Sequence, residues 1–120
     1  MKQVLIADDS EMMPDRLKQM LMPLKQLEIV GTCINGTEPI NSLRFLKPDL
    51  AILDVRMPGM SGLDVLKEIR KENNTIKIII LTFYSAEYQR KHALKLGADY
   101  FFSKVDDFEK IPATVNEMFS

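Results

Sequence analysis

The stretch Leu50-Ala51-Ile52-Leu53-Asp54-Val55-Arg56-Met57-Pro58-Gly59 limits the possible folds more than any other. Four consecutive apolar residues read as a buried strand, a carboxylate closes it, and a Pro-Gly turn follows at once. An ionised carboxylate needs water, a paired charge or a metal, so a core element that stops on Asp54 calls for a reason. Taken alone, Asp54 also reads as a cap for the loop or the next helix. A second strand ends the same way: Gln3-Val4-Leu5-Ile6-Ala7 runs straight into Asp8-Asp9. Three carboxylates at neighbouring strand ends repel one another unless a cation lies among them.

The rest of the chain alternates between the two element types. Strand one, Gln3–Ala7, is followed by a helix from near Glu11 to about Lys25, with Ser10 as its N-cap and Pro14 in its first turn. Leu17, Leu21 and Leu24 keep helical spacing. The methionines at 12, 13, 20 and 22 read as core filler rather than a redox sensor, and Pro23 ends the helix early. Glu28–Ile34 is a less uniformly apolar strand suited to a sheet edge, followed by an Asn35-Gly36-Thr37 turn. A short helix runs from Glu38 to Leu46, capped by Thr37, with Ile40, Leu43 and Leu46 inward. Strand three is Leu50–Leu53; Leu63, Leu66 and Ile69 then carry a helix to about Glu72. Lys77–Leu81, ending in Thr82, is strand four, and Ala86–Leu96 is a helix stopped by Gly97. Asp99–Phe102 is strand five, and Asp106–Phe119 is the last helix, in which Pro112 is awkward. Apolar strands separated by helices predict an α/β chain whose parallel sheet is covered on both faces.

Composition removes several classes. The 120 residues suit one domain, residues 1–120, and no apolar run approaches the ~18–20 residues of a membrane span. The first residues lack a signal-peptide layout, so the expected location is cytoplasmic, without membrane contact. A formal net charge of −1 provides no field for direct nucleic-acid binding. Cys33 is the only cysteine, which excludes an internal disulfide and multi-cysteine metal sites, and it reads as a small core residue.

In parallel sheets of this kind ligands bind beyond the C-terminal strand ends. Asp8, Asp9, Asp54, Thr82 and Lys104 all fall at such ends. Each has a plainer reading: helix caps for the aspartates, a strand-end hydroxyl for Thr82, a solvated amine for Lys104. Together with Met57-Pro58-Gly59-Met60-Ser61-Gly62 behind Asp54 and Gly97-Ala98-Asp99 before strand five, they give the chain its resemblance. From end to end it resembles a two-component response-regulator receiver domain of the CheY-like superfamily.

The resemblance implies a doubly wound (βα)5 flavodoxin-like fold with five parallel strands in the order 2-1-3-4-5. It also implies Mg²⁺-dependent phosphorylation on Asp54 by a sensor histidine kinase or a histidine phosphotransfer protein. Such a domain catalyses only its own phosphorylation and dephosphorylation. The residue chemistry agrees: a carboxylate can attack phosphorus, and phosphoryl transfer needs mainly in-line placement and charge neutralisation. Asp8, Asp9 and Asp54, with the backbone carbonyl of Arg56, are the implied Mg²⁺ ligands. Lys104 supplies a point charge, and Thr82 donates to a phosphoryl oxygen. The implied switch joins Thr82 to Phe101, the aromatic three positions before the lysine. Signal output is expected on the fourth helix, fifth strand and fifth helix around Tyr88, Lys91, Tyr100 and Phe101, with exposed aromatics suited to a partner or a homodimer.

The chain departs from the family pattern at four positions. Val105 follows Lys104 where proline is common, and Phe83 follows Thr82 where a small residue is frequent. Arg56 and Tyr84 fill two variable positions. Arg56, Phe83 and Tyr84 should flank the approach of a hydrolytic water, and none is suited to orienting one, which predicts slow self-dephosphorylation. Three other readings compete. A Mg²⁺-dependent aspartyl phosphohydrolase would carry Asp-x-Asp rather than an adjacent pair. A flavodoxin-type cofactor binder would need a phosphate loop where Asp8-Asp9-Ser10-Glu11 stands. A degenerate receiver acting as a phosphorylation-independent binding module sits poorly with intact Asp54, Thr82 and Lys104. His92, on a Lys-rich helix, reads as solvated rather than as a phosphohistidine. A stand-alone receiver and one joined to a DNA-binding or enzymatic effector both remain open.

Overall fold

The computed structural model describes residues 1–10, 12–33, 37–83 and 86–119, with the backbone alone at 37 and 38. The strands are β1 (Lys2–Ala7), β2 (Leu27–Cys33), β3 (Leu50–Asp54), β4 (Lys77–Thr82) and β5 (Tyr100–Ser103). They form one parallel sheet of order β2-β1-β3-β4-β5, so the expected edge position of β2 is observed. The helices are α1 (Met13–Leu21), α2 (Thr37–Leu46), α3 (Gly62–Arg70), α4 (Glu87–Leu96) and α5 (Ile111–Met118).

Period-two alternation divides each strand between two cores. Leu5, Ala7, Ala51, Leu53, Ile78, Ile80 and Phe101 pack with Ile40, Leu43, Val65, Leu66, Ile69 and Ala93 of α2, α3 and α4. Val4, Ile6, Leu50, Ile52, Ile79, Leu81 and Phe102 pack with Met13, Leu17, Leu21, Ile111 and Val115 of α1 and α5. The sheet is therefore doubly wound, as the apolar strands implied. Cys33 is buried in the first of these cores.

Several local expectations are corrected. Ser10 does not cap α1: the helix begins at Met13 behind Met12, which makes no side-chain cap bond, and the Ser10 amide instead donates to Asp8 Oδ1 at 2.8 Å. Pro14 sits in the first turn, and α1 ends at Leu21, just short of Pro23, which removes the amide a longer helix would need. Met13 is buried, but Met12 and Met22 are about three-quarters exposed, so they are not core filler. Pro112 is not awkward. A 3-10 turn over Phe108–Lys110 interrupts the anticipated long helix, and Pro112 lies in the first turn of a new one, where its missing amide costs nothing. The proposed Thr37 cap lies outside the described side chains.

Candidate functional site

Parallel register builds the site from strand ends. Ala7 pairs with Leu53, Asp54 with Leu81, and Thr82 with Ser103. The ladder runs on past the strands through Asp8 N to Cys33 O at 2.9 Å, Val55 N to Leu81 O at 3.0 Å and Lys104 N to Thr82 O at 2.8 Å. Asp8, Asp54 and Lys104 thus continue the alternation of Val4 and Ile6, of Leu50 and Ile52, and of Phe102, toward the α1–α5 side. Thr82 and Phe101 belong to the opposite alternation.

Asp54 is the last residue of β3 rather than the first residue after it. The loop behind it depends on two glycines. Gly59 has φ of 89°, a backbone region that disfavours side chains. Gly62 opens α3 directly against β3, its amide donating to Val55 O at 2.9 Å. A Cβ at Gly62 would lie 2.1 Å from the Asp54 carbonyl oxygen, so only glycine lets the helix begin there. Ser61 caps α3 by accepting from the Asp64 amide at 3.1 Å.

Among the described residues, the buried polar ones gather at this end: Asp8, Asp54, Thr82, Ser103 and Lys104. Lys104 is not a solvated amine. Its side chain is 1% exposed, with Nζ 2.6 Å from Asp8 Oδ2 and 3.3 Å from Asp54 Oδ2. The Phe83 ring covers the same ammonium, with its centroid 4.8 Å from Nζ. Burial pushes the Asp54 carboxyl up to about 6; Lys104 opposes the rise and Asp8 adds to it. The Arg56 amide donates to Asp54 Oδ1 at 3.4 Å, while its side chain is exposed. Asp9, Ser10, Asp54, Arg56, Thr82, Phe83 and Lys104 line a cleft of about 180 Å³.

Asp8, Asp9 and Asp54 each offer a carboxylate oxygen within 4.8 Å of the others. An all-oxygen donor set fits a hard cation such as Mg²⁺. The close contact of Lys104 with two of these carboxylates is a second sign that the cluster needs positive charge. The structure therefore brings Asp8, Asp9, Asp54, Thr82, Phe83, Arg56 and Lys104 together, as the strand ends implied; Tyr84 lies outside the described residues.

Phe101 is corrected in one respect. It is 2% exposed and packed under α4, so it does not belong among the exposed aromatics of the α4–β5–α5 face. Tyr88 and Tyr100 do, and Tyr100 also contacts Phe102 at 5.5 Å between ring centroids. Lys91 and His92 are exposed. The sequence reading missed Ser103 and Asp107, which bracket Lys104. The available signal was a serine followed four residues later by a carboxylate just ahead of a helix.

A family model described as the response regulator receiver domain matches residues 4–116. A protein-glutamate methylesterase/protein-glutamine glutaminase of Methanococcoides burtonii is 34% identical over 98% of this chain but only 34% of its own length. The chemotaxis protein CheY of Thermotoga maritima is 32% identical over 98% of this chain and 97% of its own. The chain thus spans about a third of the first relative and nearly all of the second. A chain in the crystal structure of the CheX-CheY-BeF3-Mg²⁺ complex of Borrelia burgdorferi superposes with a TM-score of 0.89 at 27% identity, covering 99% of this chain and 90% of that one.

Proposed function

The chain belongs to the response regulator receiver family of two-component systems, and on that premise we propose that Asp54 is its phosphoacceptor. One observation carries the reading: a buried carboxylate at a strand end, with an ammonium 3.3 Å away and two further carboxylates beside it. An Asp54 oxygen attacks phosphorus in line with the bond to a phosphohistidine nitrogen. That P–N bond breaks, its electron pair stays on the imidazole, and the imidazole takes a proton from water. Lys104 neutralises charge on the phosphoryl oxygens, and the Thr82 hydroxyl donates to one of them. Asp8, Asp9 and Asp54, with the Arg56 carbonyl, would hold Mg²⁺, which supplies further neutralisation of oxygen charge when bound.

Charge added at Asp54 draws Thr82 toward the cleft, and the α4–β5–α5 face responds. Phe101 already lies inward and has no hydroxyl, so the response comes from packing around it rather than from a hydrogen-bonding ring. Tyr88 and Tyr100 give that face aromatic anchors for a partner or a second copy. Phosphate arrives from a sensor histidine kinase or a histidine phosphotransfer protein, in the cytoplasm; among the described residues no helix is long and apolar enough to cross a membrane. The test is incubation with acetyl phosphate and Mg²⁺ followed by intact mass. One phosphoryl adduct is expected on the parent chain and none on Asp54→Ala or in EDTA. Equal labelling of Asp54→Ala would overturn the assignment.

A further inference from the structure

Lys104 reaches two carboxylates through a long flexible side chain, so where its Nζ falls depends on how firmly its backbone is held. It follows the last residue of β5 and precedes an exposed turn, with Val105 70% exposed. Packing from Val105 therefore does little to hold the turn, and valine fixes no backbone angle as a proline ring would. Polar groups hold it instead. Ser103 Oγ accepts from the amides of Val105 and Asp106, each at 3.1 Å. The Asp107 carboxylate reaches back and accepts from the Ser103 amide at 2.9 Å, and the Asp107 amide donates to Ser103 O at 2.9 Å. The second Asp107 oxygen is held by Lys110 Nζ at 2.8 Å. Ser103 and Asp107 thus close a hydrogen-bonded loop around Lys104, which is itself anchored to Thr82 O. A plain helix-capping role does not account for Asp107: it stands at the N-cap of the 3-10 turn, yet its side chain makes no cap bond there.

We propose that Ser103 and Asp107 are positioning residues for Lys104, setting its backbone so that Nζ falls between Asp8 and Asp54. This rests on the phosphoacceptor reading above for its consequence, and on the hydrogen bonds alone for its geometry. The clamp acts in two opposite directions. It places the ammonium where phosphoryl oxygens arrive, which speeds transfer. It also keeps the ammonium on Asp8, where it competes with a divalent cation.

The experiment compares the full chain with Ser103→Ala, Asp107→Ala, Ser103→Thr and Asp107→Asn, the last two retaining the acceptor oxygen. Acetyl phosphate labelling is followed by intact mass, Mg²⁺ affinity by NMR titration, and folding by circular dichroism. The alanine variants are expected to label about tenfold more slowly, since small displacements of a catalytic group carry such costs. They are expected to bind Mg²⁺ about threefold more tightly, since a nearby cation is loosened. Ser103→Thr and Asp107→Asn should stay near the parent. General loss of structure lowers both quantities together, so only a displaced Lys104 moves them apart. Alanine variants that label and bind Mg²⁺ as the parent does, or that lose both together, would overturn the proposal. If Ser103→Ala fails to fold, Asp107→Ala decides. A parent chain that takes no phosphate refutes the phosphoacceptor reading, and the Mg²⁺ titration then decides the clamp.

Discussion

The two ends of the sheet carry the same residue type in opposite circumstances. At the N-terminal ends, Asp49 precedes β3 and Asp99 precedes β5, and each makes the same reciprocal link to the neighbouring strand. The Asp49 amide donates to Gln3 O at 2.9 Å, and the Gln3 amide donates to Asp49 Oδ2 at 2.8 Å. The Asp99 amide donates to Ile78 O at 2.9 Å, and the Ile78 amide donates to Asp99 Oδ2 at 2.8 Å. Arg70 adds an ion pair to Asp99 at 3.3 Å and binds Gly97 O and Asn73 O. At the C-terminal ends, Asp8, Asp9 and Asp54 crowd one another, and the buried Lys104 ammonium pairs with Asp8 and Asp54. Carboxylates at the first end stitch strands together, whereas those at the second are gathered against their own repulsion. The difference lies in the partners: a backbone amide, joined at Asp99 by Arg70, holds each carboxylate of the first end singly, while three carboxylates of the second end crowd together beside one lysine.

Substitutions should therefore act with opposite sign at the two ends, except where backbone geometry intervenes. Gly62→Ala carries the largest expected effect. Its Cβ would meet the Asp54 backbone at 2.1 Å, and the cost should be about 4 kcal/mol in urea denaturation, with the strand end displaced. Asp99→Ala comes next. It leaves the fully buried Ile78 amide and a mostly buried Arg70 without their partner, an expected loss of about 3 kcal/mol. Asp49→Ala, which frees only the half-buried Gln3 amide, should cost about 1 kcal/mol by the same measurement. Phe83→Ala should act on kinetics rather than stability. Removing a half-exposed ring from the mouth of the cleft should shorten the lifetime of phosphorylated chain several-fold, read by intact mass against time. An unchanged lifetime would show that the ring does not govern the approach of water.

How much of this was legible in the sequence follows from the range of the interactions. Apolar runs ending in Asp54 and in Asp8-Asp9 gave the strands, their parallel pairing and the crowded end, because burial and alternation are written locally. Helix limits were less legible: α1 starts after Asp8 has captured the Ser10 amide, and α5 restarts at Ile111 after a 3-10 turn. The roles of Asp49 and Asp99 depend on amides 46 and 21 residues away, and no local pattern records that. The inward position of Phe101 follows from which face of β5 meets α4, a fact of tertiary packing. Lys104 shows the limit from the other side: its position in the chain marked it for the site, but its near-complete burial required the fold.

Stability of the metal-free chain against pH, for the parent and Asp54→Asn, separates the two ends of the sheet. The Asp54 carboxyl titrates near 6 when folded, above its ordinary value of 3.8, so the folded chain holds a proton that the unfolded chain has released. Stability from this group is present at low pH and is lost as pH rises from about 4 through about 6. Asparagine does not titrate. Asp54→Asn should therefore match the parent near pH 4 and exceed it by about 3 kcal/mol at pH 8, with millimolar Mg²⁺ narrowing the gap. A parent chain as stable as Asp54→Asn at pH 8, or more so, would contradict the view that this carboxylate is held at the strand end against its own electrostatics.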